Sequence, residues 1–280
     1  MSLPLALQPL TTPRTYRFTT ASATRMNEAA DQNTYRSTVR FAVLEKKPNN
    51  TYRVQVDVLG FEAEKPTFFT DLAADLNQVS NSLVVQTDVY GRFEEIENKA
   101  DMLATWQRIR PEVEQKYKDL YSPAFFAAFG QNLAAPGVFE KTLRHKGVHG
   151  VLLAGLYGYG YTPDAPVTSR RVLEQFLNHI DLPLLTTTTV QPVASGPADT
   201  LRLQVQGTLN EAAFRDNDLR RMFRTMADNP LLKVDLTAAA TEDYEVEAAT
   251  GWLQRAQQHL LVEVPGIYRH ETQHTLEAVA

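Results

Sequence analysis

The chain has 280 residues, of which 43% are hydrophobic and 22% charged, and these proportions exclude a disordered or fibrous protein. Its formal net charge of −5, without a long run of one sign, gives no surface for a phosphate backbone, so we expect no nucleic-acid partner. The absence of cysteine excludes disulfides, cysteine-bound zinc, iron–sulfur clusters and thiol catalysis.

Residues 1–13 are predicted to form an extended N-terminal arm. The apolar patch in this arm has no basic residue before it and contains prolines, which is not the pattern of a signal peptide. The longest apolar run of the chain, Val148 to Leu156, is interrupted by glycines and is shorter than the roughly 20 residues of a membrane helix. We therefore expect no membrane span and a cytoplasmic location.

Residues 14–98 are predicted to form a first β-rich unit with one short helix. Apolar and polar residues alternate along 37–44 and 52–58, and this period of two is typical of antiparallel strands with one buried face. Pro66 is suited to the first turn of a helix, and apolar residues follow it at helical spacing. The predicted strands are 14–22, 34–45, 51–59, 83–89 and 92–97.

Residues 99–181 are predicted to be a helical middle segment. A helical apolar stripe begins at Met102, and Pro111 is expected to kink or restart this helix because proline removes a backbone hydrogen bond. Further helices are predicted at 124–129, 138–145 and 167–180, the last with a buried stripe from Val172 to Ile180. The secondary structure of the glycine-rich stretch 147–160 stays open.

Residues 182–280 are predicted to form a second β-rich unit. Strands are expected at 184–190 and 201–207, and a helix opening at Asn210 or Glu211 has the apolar face Phe214, Leu219, Met222, Phe223 and Met226. Leu231 to Leu236 is expected to begin the final sheet. The last forty residues are predicted to be a three-strand meander with turns at Thr250-Gly251 and Pro265-Gly266.

The predicted fold class is α+β. Two antiparallel β-rich units, each with a short helix packed on a curved sheet, are joined by the helical middle segment. Both units share the order strands, short helix, strand meander, which suggests an internal duplication. Curved antiparallel sheets that cup helices resemble in shape the half-barrels of lipid and lipoprotein carriers, and the likeness is one of predicted architecture alone.

The string His270-Glu271-Thr272-Gln273-His274 is the candidate for metal chemistry, because H-E-x-x-H on a helix binds zinc through both histidines and uses the glutamate as a base. On a strand, the histidines share one face and Glu271 points to the other. The segment lacks the apolar stripe of a zincin helix and follows a Pro-Gly turn, so the strand is predicted. A zinc-dependent hydrolase is the alternative.

Two further groups are candidate binding residues. Tyr157, Tyr159 and Tyr161 lie in a glycine-rich stretch, where they could present an aromatic surface or fill a domain junction. Arg170 and Arg171 could belong to an anion-binding patch or to a solvated helix end. The acidic pairs Glu94-Glu95 and Glu242-Asp243 are predicted to lie exposed beside turns.

The sequence contains no P-loop, no G-x-S-x-G and no convincing catalytic constellation, so no catalytic residue, cofactor or metal is assigned. The predicted function is that of a non-enzymatic binding or assembly protein. It would hold an unidentified protein partner or a hydrophobic small molecule on its sheets. An immunity or inhibitor protein is a further alternative.

Overall fold

The computed structural model describes residues 3–163, 165–177, 180–192 and 200–279, and most of its strands belong to one large antiparallel sheet. In spatial order the sheet runs β6, β5, β4, β3, β2, β13, β12, β11, β10, β9, β8, while β1 and β7 pair separately. The strands are β1 (Leu3–Pro4), β2 (Arg14–Met26), β3 (Ala29–Lys46), β4 (Tyr52–Ala63), β5 (Ser82–Thr87), β6 (Phe93–Ile96), β7 (Gly160–Tyr161), β8 (Val167–Leu177), β9 (Ile180–Pro192), β10 (Thr200–Leu209), β11 (Thr237–Glu247), β12 (Leu253–Val264) and β13 (Tyr268–Ala278).

The α+β class, the antiparallel pairing and the helical middle segment are confirmed, but the strands form one sheet of eleven rather than two separate sheets. The sequence predicts which segments are strands, whereas the choice of neighbour depends on contacts far apart in the chain.

The helices are α1 (Phe68–Asn77), α2 (Lys99–Tyr117), α3 (Pro123–Ala134), α4 (Val138–Leu143), α5 (Gly147–Leu152) and α6 (Asp216–Met226).

The chain divides into two compact units. Unit 1 consists of Met1–Leu5, Thr20–Asn33 and Tyr159–Leu276. Unit 2 consists of Ala6–Thr19, Thr34–Gly158 and Glu277–Ala280, and it contains helices α1 to α5.

Helix α2 in unit 2 continues through Pro111, so the predicted restart at this proline is wrong. Pro111 is exposed, and so is Gln107, whose carbonyl loses its helical partner. Water can satisfy that carbonyl, while the opposite stripe of the helix stays buried. Trp106 in this stripe packs edge-on against Phe129 of α3, with ring centroids 4.8 Å apart.

In the segment predicted as a helix at 167–180, residues 167–177 are instead strand β8 and Ile180 is the first residue of β9, while residues 178 and 179 lie outside the described ranges. Its apolar residues are spaced as on a helix, but Arg171 pairs with Leu184 and Leu173 pairs with Leu182 of the neighbouring strand. Gln175 has a positive φ of 51°, where the strand register shifts. The hydrogen bonds between β8 and β9 therefore outweigh the helix preference that the spacing of the apolar residues indicates.

The predicted start of the final sheet at Leu231 is also wrong, because β11 begins at Thr237. Leu231 is 90% exposed, whereas Val234 is buried in the core of unit 1. The three-strand meander of β11, β12 and β13 is confirmed, as are its turns. The open stretch 147–160 contains α5 and the first residue of β7.

Gly207 on β10 provides a test of packing in unit 1. A Cβ atom there would lie 3.2 Å from Cβ of Ala240 and 3.3 Å from Cγ2 of Thr186. We expect Gly207→Val to lower the free energy of unfolding by about 2 kcal/mol, because the added methyl groups must displace both neighbours. Urea denaturation measures this change.

Gly60 on β4 is the matched control, since a Cβ there would meet nothing within 4 Å. Gly60→Val is expected to change stability by no more than about 0.5 kcal/mol. Equal losses in both variants would contradict tight packing at Gly207.

Candidate functional site

A buried apolar area of the sheet in unit 1 lies beneath α6 and is here called the α6 face. Leu219 and Phe223 of α6 are buried on it, as predicted for two members of the helix's apolar stripe. Met226, a third member, is 52% exposed, so the prediction fails at that position. The buried sheet residues of the α6 face are Leu182, Leu184, Ala238, Ala240, Val262, Val264 and Tyr268.

The cover over the α6 face is incomplete. A ring of hydrophobic side chains packs against the buried cluster while remaining partly exposed. This ring gives the face an apolar border of half-buried side chains. Its members are Met26, Leu173, Phe176, Leu177, Ile180, Leu209, Phe214, Met222, Leu232, Leu236, Leu260 and Ile267.

A set of polar side chains, here called the polar row, lies on the same face of the sheet. The guanidinium of Arg171 forms an ion pair with the carboxylate of Glu242, which also accepts a 2.6 Å hydrogen bond from Tyr244 Oη. Gln258 Nε2 donates to Tyr244 Oη at 2.7 Å. Further along, Thr20 Oγ1 and Nδ1 of His274 are hydrogen-bonded at 2.9 Å.

The ion pair between Arg171 and Glu242 shows that the sheet of unit 1 is concave on this face. Arg171 is on β8 and Glu242 on β11, three strands away in the sheet order. Adjacent strands are about 4.8 Å apart, so three spacings in a flat sheet amount to roughly 14 Å, too far for a direct contact.

Both histidines of the H-E-x-x-H string lie on this face and are part of the polar row. His270 Nδ1 is 2.8 Å from Thr24 Oγ1, and its Nε2 is 2.8 Å from Thr272 Oγ1. Burial lowers the pKa of His270 below its usual value. Burial also lowers the pKa of His274 to about 4, although the charge of Glu242 acts in the opposite direction. Both rings are therefore neutral at pH 7.

The predicted strand conformation of the H-E-x-x-H string is confirmed by β13. Glu271 accepts a 2.8 Å hydrogen bond from Arg269 Nη2 and another 2.8 Å hydrogen bond from Nε2 of His259. These contacts lower the pKa of the Glu271 carboxyl, with Arg269 contributing most. The glutamate is thus engaged on the other face of the strand from His270 and His274.

The three candidate tyrosines do not form one exposed aromatic surface. Tyr157 is buried in unit 2, where its ring lies edge-on 5.8 Å from Tyr52. In unit 1, half-buried Tyr159 and buried Tyr161 are 5.8 Å apart. The reading of these residues as internal packing agrees with this burial, and a role in binding stays a prediction.

The two candidate arginines point to opposite faces of β8. Arg170 is exposed, whereas Arg171 turns inward to Glu242. They therefore do not form one anion-binding patch. Sequence reasoning missed Glu242, Tyr244 and Gln258, and its placement of Glu242 beside an exposed turn is wrong, because this residue is buried within β11. Glu242 stands two residues before Tyr244 in a strand with alternating polarity, and this spacing could have indicated that both side chains lie on the buried face.

The sequence matches no protein-family profile and no curated protein. Its fold is similar to part of a solved structure that concerns lipid–protein interactions in lipovitellin, with a TM-score of 0.50 and 10% sequence identity. The matched region covers 96% of this chain and 25% of the lipovitellin chain, so this chain spans about a quarter of that protein's length. This likeness establishes the fold.

A second solved structure, the low-pH form of Pseudomonas putida OprB, has a TM-score of 0.21 and 10% identity, over 95% of this chain and 92% of that one. A likeness this low supports no inference. Among the helices that the structure describes, none combines the length and apolar character needed to cross a membrane.

Zinc analysis tests the strand geometry of the H-E-x-x-H string. Across the described ranges, no three His, Asp or Glu side chains are grouped to hold a metal ion. We expect purified protein to bind zinc at much less than one equivalent, measured by mass spectrometry of the metal after dialysis. Stoichiometric zinc that is lost in Glu271→Gln and His274→Ala would contradict this expectation.

Acid stability tests two histidines, buried His149 and half-buried His274, whose pKa values are lowered by burial. His149 in unit 2 is buried beside Phe93, and burial lowers its pKa to about 4, as for His274. The unfolded chain, with a histidine pKa near ~6.5, binds more protons between pH ~6.5 and ~4, so the free energy of unfolding falls as the pH falls through this window. We expect urea denaturation to show this fall.

His149→Phe removes one of these protonations while keeping an aromatic ring beside Phe93. Its stability should fall less steeply with acid than that of the wild type, by up to about 3 kcal/mol over the window. Equal slopes in the two proteins would contradict a lowered pKa of His149 in the folded state.

Proposed function

We propose that this chain is a non-enzymatic binding protein that holds an apolar ligand between α6 and the sheet of unit 1. The observation that carries the proposal is the α6 face, an apolar sheet surface with an open border of half-buried side chains. The likeness in fold to lipovitellin, whose solved structure concerns its interactions with lipid, supports the same choice of ligand. Because the sheet of unit 1 is concave on this face, a bound ligand would contact strands on two sides.

The packing of α6 suggests how a ligand would enter. Leu219 and Phe223 are the helix residues buried on the sheet. Arg224 Nε donates a 3.1 Å hydrogen bond to the carbonyl of Leu232, which holds the segment after the helix in place. A ligand that wedges beside this helix would extend the apolar contact to the border residues. Each buried methylene contributes about 0.8 kcal/mol, so roughly ten of them match the free energy of micromolar binding before the entropic cost is subtracted.

Leu260 and Leu261 on β12 allow a matched test of this site. Both are half-buried, but Leu260 packs on the border of the α6 face, whereas Leu261 alternates to the other side of the strand. We expect the fluorescent hydrocarbon diphenylhexatriene to bind the wild type. Leu260→Gln should weaken this binding about tenfold or more, because a polar amide replaces apolar contact area.

Leu261→Gln is the control and should change the affinity less than about twofold, because the side chain does not face the ligand. Fluorescence titration measures both, and circular dichroism establishes that both variants fold. An absence of binding by the wild type, or equal weakening in the two variants, would refute the proposal.

Protein binding is the second candidate function, and a different surface favours it. Phe68 and Phe69 at the start of α1 in unit 2 are 42% and 60% exposed, with ring centroids 3.8 Å apart. Adjacent exposed aromatic rings are typical of protein contacts. A dimer in light scattering that dissociates in Phe69→Ser, together with no hydrocarbon binding, would favour this candidate. An inhibitor or immunity protein would belong to the same class.

A further inference from the structure

We propose that the ligand of the α6 face is an amphiphile with an uncharged, hydrogen-bonding head group, and that the polar row holds this head. The inference rests on the proposed function and adds to it the chemical class of the ligand. The evidence is the position of the polar row, its net charge and its hydrogen-bonding capacity.

The polar row borders the α6 face directly. On each of four strands, a step of two residues on the same face leads from an apolar residue of the α6 face or its ring to a member of the polar row. Two residues along a strand are about 7 Å, a distance that one small molecule can span. The four steps are Leu173 to Arg171 on β8, Ala240 to Glu242 on β11, Leu260 to Gln258 on β12 and Tyr268 to His270 on β13.

On β11 and β12 the strand register brings two of these steps side by side. Ala240 pairs with Leu260, and Glu242 pairs with Gln258, so the boundary crosses β11 and β12 at the same level. On β13, His270 lies edge-on to Phe176 of the apolar ring at 5.7 Å. A ligand with its tail on the α6 face therefore has its head at the polar row.

The polar row is electrically neutral at pH 7. Arg171 and Glu242 carry opposite charges and are joined to each other. Burial keeps both histidines uncharged, since it lowers the pKa of each. The other members are tyrosine, glutamine and threonine side chains. A charged head would lose hydration there without meeting a net opposite charge, which is unfavourable.

The row nevertheless has capacity for hydrogen bonds. A guanidinium has five N–H donors, and the ion pair with Glu242 uses one nitrogen of Arg171. The hydroxyl groups of Thr20, Thr24 and Thr272, all half-buried, can each donate and accept. A hydroxyl, ester or amide head can exchange such bonds with the row, whereas a bare hydrocarbon cannot.

The test compares three competitors that share one alkyl chain: dodecanol below its solubility limit, and dodecanoate and dodecylammonium below their micelle concentrations, all near pH ~7. Each displaces diphenylhexatriene from the wild type and from Glu242→Gln. The variant leaves Arg171 uncompensated and makes the row positive. We expect the ratio of dodecanol affinity to dodecanoate affinity to fall at least about tenfold in this variant.

Comparing one ratio between two proteins cancels the differences in solubility among the competitors. Asp243→Asn is the matched control, because Asp243 lies beside Glu242 on the opposite face of β11 and pairs with Arg202. This variant should keep the wild-type ratio. Circular dichroism establishes folding, because an unpaired buried Arg171 is destabilising.

Thr272→Lys is the second variant and places a positive charge at a half-buried position of the row without breaking the ion pair. It should lower the same ratio, while Gln273→Lys on the other face should not. An unchanged ratio in folded Glu242→Gln and Thr272→Lys would overturn the inference. If those variants still bind diphenylhexatriene, the proposed function stands; if the wild type binds no competitor and no probe, the proposed function itself fails.

Discussion

The pairing of β2 with β13 is the constraint on which the large sheet depends, because these strands join its two series of antiparallel neighbours. Thr20 and His274, linked by a hydrogen bond, are 254 residues apart in the chain. In unit 1, the amide of Asn27 also donates to the carbonyl of Ile267 at 2.8 Å. Without this pairing, both strands would have free edges and the sheet would divide in two.

The same pairing assembles the candidate site. The threonines of β2 reach the histidines of β13, and those histidines complete a polar row that begins at Arg171 on the edge strand. Removing one partner of a buried ion pair leaves an uncompensated charge, which is strongly destabilising. The pair of Arg171 with Glu242 therefore favours the concave form of the sheet over a flat one. The same ion pair therefore contributes both to the concave form of the sheet and to the polar row.

The position of α6 beside that row explains why the site is amphipathic. Its two buried side chains belong to the same buried cluster as the small residues Ala238 and Ala240, and the ring of Phe223 lies 5.6 Å from that of Tyr268 on β13. Neither the polar row nor the apolar cluster alone distinguishes a ligand site from an ordinary interior. Their contact along one boundary, with half-buried side chains on both sides, is what indicates an amphiphile.

Sequence patterns by themselves determined the strands with clear alternation, the turns at Gly251 and Gly266 and the strand conformation around His270. These features are local, since alternation and turn chemistry act over a few residues. The helix expected at 167–180 failed, because its apolar spacing suits a helix while its hydrogen bonds go to β9. The single sheet and the joining of Arg171 to Glu242 were decided only by the tertiary structure. Both depend on which distant strands become neighbours, and no local preference encodes that choice.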